Sequence, residues 1–280
     1  MNYRHAFHAG NFADVVKHAL LCRLVEYLKR KDKAFRVLDT HAGIGRYDLS
    51  ADEASRTGER REGIDALVAS PAWDEPLLAP YRETVEAVRR EFGRDAYPGS
   101  PLIVRRLLRR QDRLSAYELH PTDAKLLAGE FAGDVQVKTI ELDGWLALGA
   151  HLPPKEKRGL VLIDPPYEAT DEYERIVARL GEAWRRWPGG TYAVWYPIKR
   201  RAAYERFHEA LRTSGIRNVV AADFFREPFA SEERLVGTGF AVVNSPYTFA
   251  DEAMGIMEAL RPAIGISGKA DCGIIALVAE

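Results

Sequence analysis

Four acids, two of them with glycine turns, recur along this chain as if each closed a strand: Asp39 with Gly43 and Gly45, Glu118, Asp143 with Gly144, and Asp164. The last opens the run Asp164-Pro165-Pro166-Tyr167, directly after four apolar residues at 160–163. Such an unbroken apolar run suits a parallel-sheet strand covered on both faces. The two prolines then stop the ladder, because each lacks an N–H and fixes its own φ. What emerges at the carboxyl end is a carboxylate, carbonyls with no regular partner, and a flat ring. Ligands of open α/β sheets bind along that edge. A single acid at a strand end is commonly a cap or a turn residue. Four in order, the last followed by two prolines and a tyrosine, exceed what turn chemistry requires.

The loop Asp39-Thr40-His41-Ala42-Gly43-Ile44-Gly45 follows a short strand. Its glycines allow close backbone approach to a nucleotide-like group. No Gly-Lys-Ser/Thr follows, so it is not a phosphate loop. Glu118, at the end of the strand after this loop, is placed to take the two hydroxyls of a ribose.

Positioning these residues falls to an alternation of strands and helices. Asn11 with Asp14 three residues later reads as a helix cap with an acid in the first turn, and the helix should run to about residue 31. Phe12, Val15, Val16, Ala19, Leu20, Leu24, Tyr27 and Leu28 give it one apolar stripe. Lys17 projects on the flank of that stripe, so its ammonium must snorkel, pair with an acid or meet a ligand; spacing alone points to snorkelling. Tyr3, Arg4, His5 and His8 ahead of the cap are unusual for a frayed terminus. Residues 50–97 read as charged helices broken by Pro71, Pro76 and Pro80, with no strand-like run. A βαβ crossover needs only about a dozen residues, so this stretch is an expected helical insertion. Ser100 is the expected cap, with Pro101 in the first helical position of an arginine-rich helix carrying Arg105, Arg106, Arg109, Arg110 and Arg113. Strands are expected at 114–119, 135–140, 160–163 and 191–197, and an antiparallel pair at 218–225 and 239–244 near one edge. The divisions that follow are an N-terminal motif and helix at 1–34, a main domain at 35–49 and 98–280, and the inserted helical subdomain at 50–97.

At 280 residues, 46% hydrophobic and 29% charged, the chain has the composition of a soluble globular protein. No stretch has the apolar length needed to cross a bilayer, and the N-terminus lacks the apolar core of a signal peptide. Cys22 and Cys272 offer neither metal spacing nor a disulfide framework. A cytosolic address without metal or membrane is expected. The net charge of −1 argues against indiscriminate coating of nucleic acid, which depends on phosphate neutralisation. Local excess is present: residues 1–36 hold eight Lys or Arg against three acids, and the five arginines of 105–113 crowd one segment. Each cluster reads first as a solvated helix face.

The four strand-end acids and the Asp-Pro-Pro-Tyr run together resemble the class I S-adenosylmethionine-dependent methyltransferases. In that superfamily the tetrapeptide marks methylation of exocyclic nucleobase amines. The physics fits. The N6 lone pair of adenine is delocalised into the ring, so the amine is a poor nucleophile until its hydrogens are held. Asp164 and the Pro165 carbonyl can accept them, and Tyr167 offers a face for an extruded base. The protein then has mainly to align nitrogen, methyl carbon and sulfur, exclude water and steady the charge moving onto nitrogen.

A closer resemblance covers nearly the whole chain. Tyr3-Arg4-His5-Ala6-Phe7-His8-Ala9-Gly10-Asn11, Ala13 to His18, Asp39 to Gly43, Tyr97-Pro98-Gly99-Ser100-Pro101, Glu118-Leu119-His120-Pro121, Leu162 to Glu168 and Trp195-Tyr196-Pro197 are similar to the bacterial 23S ribosomal RNA adenine-N6 methyltransferase family. The resemblance implies a Rossmann-like α/β sheet, mostly parallel with an antiparallel edge, and a helical insertion after the first strand. It implies that His18, His41, Ser100, Glu118, Asp143, Gly144 and Asp164, with Gly43 of the glycine loop, surround S-adenosyl-L-methionine. It places Tyr3 and His5 at the substrate and moves Lys17 from snorkelling to a functional role beside Asp164, Pro165 and Tyr167. The expected partner is 23S rRNA free of ribosomal proteins, met by a monomer. Residues 50–95 and 225–275 match least.

The tetrapeptide also serves DNA adenine and other amine acceptors; the N-terminal motif is what favours RNA. A non-catalytic nucleic-acid-binding module on the same fold is the rival from another class. A dinucleotide oxidoreductase is disfavoured, because the loop lacks the third glycine and that chemistry gives no reason for Asp-Pro-Pro-Tyr.

Overall fold

The computed structural model describes residues 8–51 and 58–279. Its centre is an eight-stranded sheet in the order β10-β8-β9-β7-β6-β1-β4-β5. β1 (Arg36–Asp39), β4 (Arg113–Glu118), β5 (Val137–Glu141), β6 (Gly159–Ile163) and β7 (Thr191–Ile198) run parallel. β8 (Val219–Phe225), β9 (Gly237–Val243) and β10 (Asp271–Val278) complete an antiparallel edge, with β9 against β7 and β10 outermost on β8. The expected mixed sheet is therefore present.

β6 shows why its sequence is apolar throughout. Leu160 and Leu162 join the core on one face, with the helix Phe12–Lys29, the helix Ser100–Leu107 and the helix Phe249–Ile264. Val161 and Ile163 join the core on the other, with the helices Gly144–Ala150, Glu172–Arg186 and Arg201–Thr213. Alternate side chains point to opposite faces, so a strand covered on both sides has no solvent position to give to a polar residue.

The Phe12–Lys29 helix starts where its cap signal places it, with Asn11 Oδ1 accepting from Asp14 N at 2.9 Å. It is buried beyond the single expected stripe, in fourteen of its eighteen residues. The reason is tertiary: it lies on the sheet and is also packed by the helix Ala79–Phe92 and those at 100–107 and 249–264.

Residues 50–97 contain the helices Ile64–Val68 and Ala79–Phe92 and short 3-10 turns opened by Pro71 and Pro76. One expectation fails here. β3 (Ala96–Pro98) closes the stretch by pairing antiparallel with β2 (Arg46–Asp48), Tyr47 opposite Tyr97. Three residues are too few for alternation to show in a sequence. This ladder and the bond from Gly99 N to Gly45 O (2.8 Å) return the chain to the glycine loop.

The cap of the next helix also differs. Gly99, not Ser100, is the N-cap; Ser100 is the first helical residue, and its hydroxyl donates to Asp39 Oδ2 at 2.6 Å. The helix ends at Leu107, so only Arg105 and Arg106 of the five arginines are helical. Arg109 and Arg110 lie in the following turn, and Arg113 begins β4.

Candidate active site

The parallel strands deliver Asp39, Glu118 and Asp164 to one edge, as their pairing register requires: Asp39 lies opposite Ala116 of β4 and Leu162 of β6, so the acids ending the three strands converge. Thr40 continues the ladder, its N and Oγ1 both donating to the Leu162 carbonyl at 3.0 and 2.9 Å. Asp143 caps the helix beginning at Gly144 by accepting from Trp145 N at 2.8 Å. Gly144 has a steric reason to be glycine, since a Cβ there would stand 2.1 Å from the Thr40 carbonyl oxygen.

Above this edge lies a cleft of about 340 Å³, within the range of small-molecule sites. His18, His41, Gly43, Ser100, Glu118, Asp143, Gly144 and Asp164 all line it, with Lys17 and Pro165. Glu118 Oε2 accepts from Gly43 N (2.9 Å) and Oε1 from His120 N (2.8 Å). A carboxylate has about four acceptor sites, so each oxygen keeps capacity for a ligand hydroxyl. Burial raises the Glu118 pKa, and these backbone donors oppose the rise. Gly43 adopts φ +60°, and a Cβ there would meet Tyr47 Oη at 2.3 Å. The loop is thus shaped for glycine and leaves room on its cleft side.

His41 lies edge-on to Trp145, ring centres 5.3 Å apart. Burial pushes its imidazole down to about 3, and the Arg175 guanidinium acts in the same direction, so the ring is neutral near pH 7. His18 Nδ1 is 2.9 Å from Tyr97 Oη, which is 2.8 Å from Tyr81 Oη. Asp39 is fully buried; Ser100 holds Oδ2, while Oδ1 has no hydrogen-bond partner among the described residues. Burial pushes its carboxyl up to about 7 against the Ser100 hydrogen bond.

A second cleft of about 550 Å³ adjoins the first, and both are lined by Lys17, Asp164 and Pro166. Lys17 is not snorkelling. Its side chain is 4% exposed, and its ammonium lies 2.6 Å from Asp164 Oδ2 and 2.9 Å from Asp14 Oδ1. Burial disfavours the ammonium, but the Asp14 and Asp164 charges outweigh this and raise its pKa. One cation between two carboxylates leaves the junction of the clefts net negative, a setting that favours developing positive charge.

Tyr167 follows the two prolines in the left-handed region, φ +54°, where a side chain other than glycine costs about 1–2 kcal/mol. Its hydroxyl is donated to the Trp195 carbonyl, and its ring meets Trp195 edge-on at 5.5 Å. Trp195 is fixed in turn by donating Nε1–H to Thr238 Oγ1 at 2.6 Å. Tyr167 and Trp195 line the second cleft and not the first.

Tyr3 and His5 lie outside the described residues. His8 lines the second cleft with Nδ1 3.0 Å from Glu59 Oε1. Sequence reasoning counted Asp39 among the strand-end acids but gave no site role to Asp14, Tyr47, Trp145, Trp195 or Arg175. Asp14 had a signal, because i,i+3 places it on the Lys17 face of a helix. Tyr47, Trp145 and Arg175 reach the cleft only through tertiary packing. The arginines of 105–113 lie away from both clefts: Arg105 pairs with Asp134, Arg106 with Glu91, and Arg109 with Asp112 at 2.8 Å.

Among the described residues no helix is long and apolar enough to cross a membrane. A family model described as "Ribosomal RNA large subunit methyltransferase D, RlmJ" matches residues 32–273. The chain is 39% identical over 284 residues to the Ribosomal RNA large subunit methyltransferase J of Escherichia coli K12, covering all of both chains. It is 41% identical over 267 residues to the protein of the same name in Haemophilus influenzae, covering 93% of this chain and 92% of that one. A crystal structure of a Legionella pneumophila protein matches with a TM-score of 0.86 at 36% identity, covering 96% of this chain and 98% of that one.

Proposed function

The chain belongs to the ribosomal RNA large subunit methyltransferase family, and from that premise we propose that it methylates the exocyclic N6 amine of one adenine in 23S rRNA, with S-adenosyl-L-methionine as donor. The observation that carries this reading is Asp164 at the meeting of two clefts, one suited to a nucleoside-type cofactor and one to an extruded base. The fit to the cofactor rests on the glycine-shaped loop and on the spare acceptor capacity of Glu118 for ribose hydroxyls. When bound, the cofactor supplies an electrophilic methyl group on sulfonium sulfur. The protein's residues do the rest.

Lys17 occupies Asp164 Oδ2, which leaves Oδ1 to accept one N6 hydrogen. The Pro165 carbonyl, downstream of a strand that has ended, accepts the other. Tyr167 and Trp195 wall the base side and hold its plane. Tyr3 and His5 close over the base in this reading. The Asp14–Lys17–Asp164 group is net negative, so it does not repel a sulfonium and it steadies charge moving onto nitrogen. The neutral His41 avoids placing a second cation in the cofactor cleft. The methylated nitrogen is strongly acidic, and its proton passes to the Asp164 carboxylate or to solvent water. A monomer acting on RNA free of ribosomal proteins is the form taken with this reading, because extrusion of a base needs an uncovered strand.

Incubation with methyl-labelled cofactor and separate pools of RNA, DNA and protein tests the proposal. Label should enter 23S RNA as N6-methyladenine. Label in DNA alone would transfer the assignment to DNA adenine, and no label anywhere would leave a binding module.

A further inference from the structure

Two basic stretches stand out in the sequence, and among the described residues Lys17 is the one cation of either that lines the first cleft or the second. The fold brings parts of both together with a third. Residues 29–36, 109–113 and 155–158 carry eleven Lys or Arg against three Asp or Glu, in a chain whose net charge is −1. They meet where β1, β4 and β6 begin, the end of the sheet opposite the clefts. Arg109 donates to the Lys31 and Lys33 carbonyls at 2.9 and 3.3 Å, and Arg158 donates to the Lys33 carbonyl at 2.8 Å. Arg109 and Arg158 both lie over the Phe35 ring, 5.6 and 5.8 Å from its centre.

These guanidinium groups are spent on holding loops. Of the three acids, Asp112 is buried against Arg109 and Glu156 is paired with Arg36 at 2.9 Å, which leaves Asp32 exposed. Lys31, Lys33, Arg110, Lys155 and Lys157 are exposed, and none has a carboxylate within ion-pair distance among the described residues. Gathering like charge this way destabilises the compact state by self-repulsion. The pKa of Arg158 is lowered chiefly by burial, with the neighbouring Arg109 charge acting in the same direction. A fold that needed only solvated faces would interleave acids here, as it does along the helix Glu172–Arg186.

We infer that this basic end of the sheet is a second RNA-binding surface, at which Lys31, Lys33, Arg110, Lys155 and Lys157 bind phosphates of the substrate remote from the target base. β6 is five residues long, so at roughly 3.3 Å per residue the surface lies about 16 Å or more from Asp164. Only an RNA that continues well past the target nucleotide, or folds back around the protein, reaches it. The partner is a polyanion with closely spaced charge, recognised by position and not by sequence. The inference rests on the reading of the chain as an RNA methyltransferase and adds how a large RNA is held.

The test compares wild type with the fivefold variant K31Q/K33Q/R110Q/K155Q/K157Q on two RNAs: a protein-free 23S transcript and the shortest fragment of it that still accepts methyl from wild type. Binding is measured between 50 and 200 mM salt and transfer at saturating RNA. The variant should bind the long RNA about tenfold more weakly near physiological salt. The slope of log K against log salt should become shallower by about 3, the equivalent of three to five phosphate contacts. Affinity for the short fragment and kcat on both RNAs should change less than twofold, and K31R/K33R/K155R/K157R should bind as wild type.

Unchanged affinity and slope for the long RNA would overturn the inference. Equal weakening on both RNAs would overturn it too, since the contact would then be local to the base. Competition by polyglutamate as effective as by RNA of equal charge would reassign the surface to acidic proteins. Failure of wild type to methylate any RNA would remove the underlying reading, and it shows in the wild-type reactions alone.

Discussion

Lys17 Nζ and Asp164 Oδ2 lie 2.6 Å apart although 147 residues separate them in the chain. Asp14 shares the same ammonium at 2.9 Å. The first helix is thereby joined to the end of the central strand at the point where the two clefts meet.

Lys17→Met should lower unfolding stability by roughly 3–5 kcal/mol, the scale for breaking a buried pair and leaving its partner charge uncompensated. Methyl transfer should fall with it, because Asp14 and Asp164 then repel and Asp164 loses its orientation. Denaturant midpoints and single-turnover transfer measure the two effects separately. Stability unchanged from wild type would show that the ion pair contributes nothing to the fold.

Asp164→Asn keeps the shape of the side chain but replaces one acceptor oxygen with a donor. Transfer should drop by about 10²–10³-fold, the scale seen when one group that stabilises transition-state charge is removed. Cofactor affinity by calorimetry should change only a few-fold. An equal loss in both would place Asp164 chiefly in cofactor binding.

Asp39 carries a pH dependence whose sign follows from burial. Burial raises its folded pKa to about 7 from the ordinary 3.8, so between pH 4 and 7 the folded state binds more protons than the unfolded state. Its contribution therefore falls as pH rises through that window, by at most about 1.4 kcal/mol per pH unit. His41, lowered to about 3, works the other way over pH 3 to 6.5. The stability difference between wild type and Asp39→Asn isolates the first: wild type should lose ground to the variant as pH rises from 5 to 7. A difference constant with pH would contradict the assignment.

Gly144→Ala would push a Cβ to 2.1 Å from the Thr40 carbonyl, a backbone atom that cannot move without shifting the end of β1. The cost should be about 1–3 kcal/mol, as for overpacked interiors, read from thermal unfolding. Weaker cofactor binding should accompany it. Gly133→Ala, at an open position with nothing within 4 Å, should leave cofactor binding unchanged despite its left-handed φ of +81°.

Much of the frame follows from local rules. The apolar run before Asp164 specifies a strand buried on both faces, Asn11 with Asp14 specifies a helix start, and the strand-end acids specify one functional edge, because parallel strands send all their carboxyl ends the same way. The acids and glycines that line the first cleft were legible for that reason. What tertiary structure alone decided involves partners too distant or segments too short for periodicity to report. Two three-residue strands returned the 50–97 stretch to Tyr47, and Ser100 left its expected capping role to hold Asp39. Three basic segments became one surface. Lys17 is the sharpest case: its spacing is compatible with snorkelling, and only the approach of Asp164 across the core turns that lysine into half of a buried ion pair.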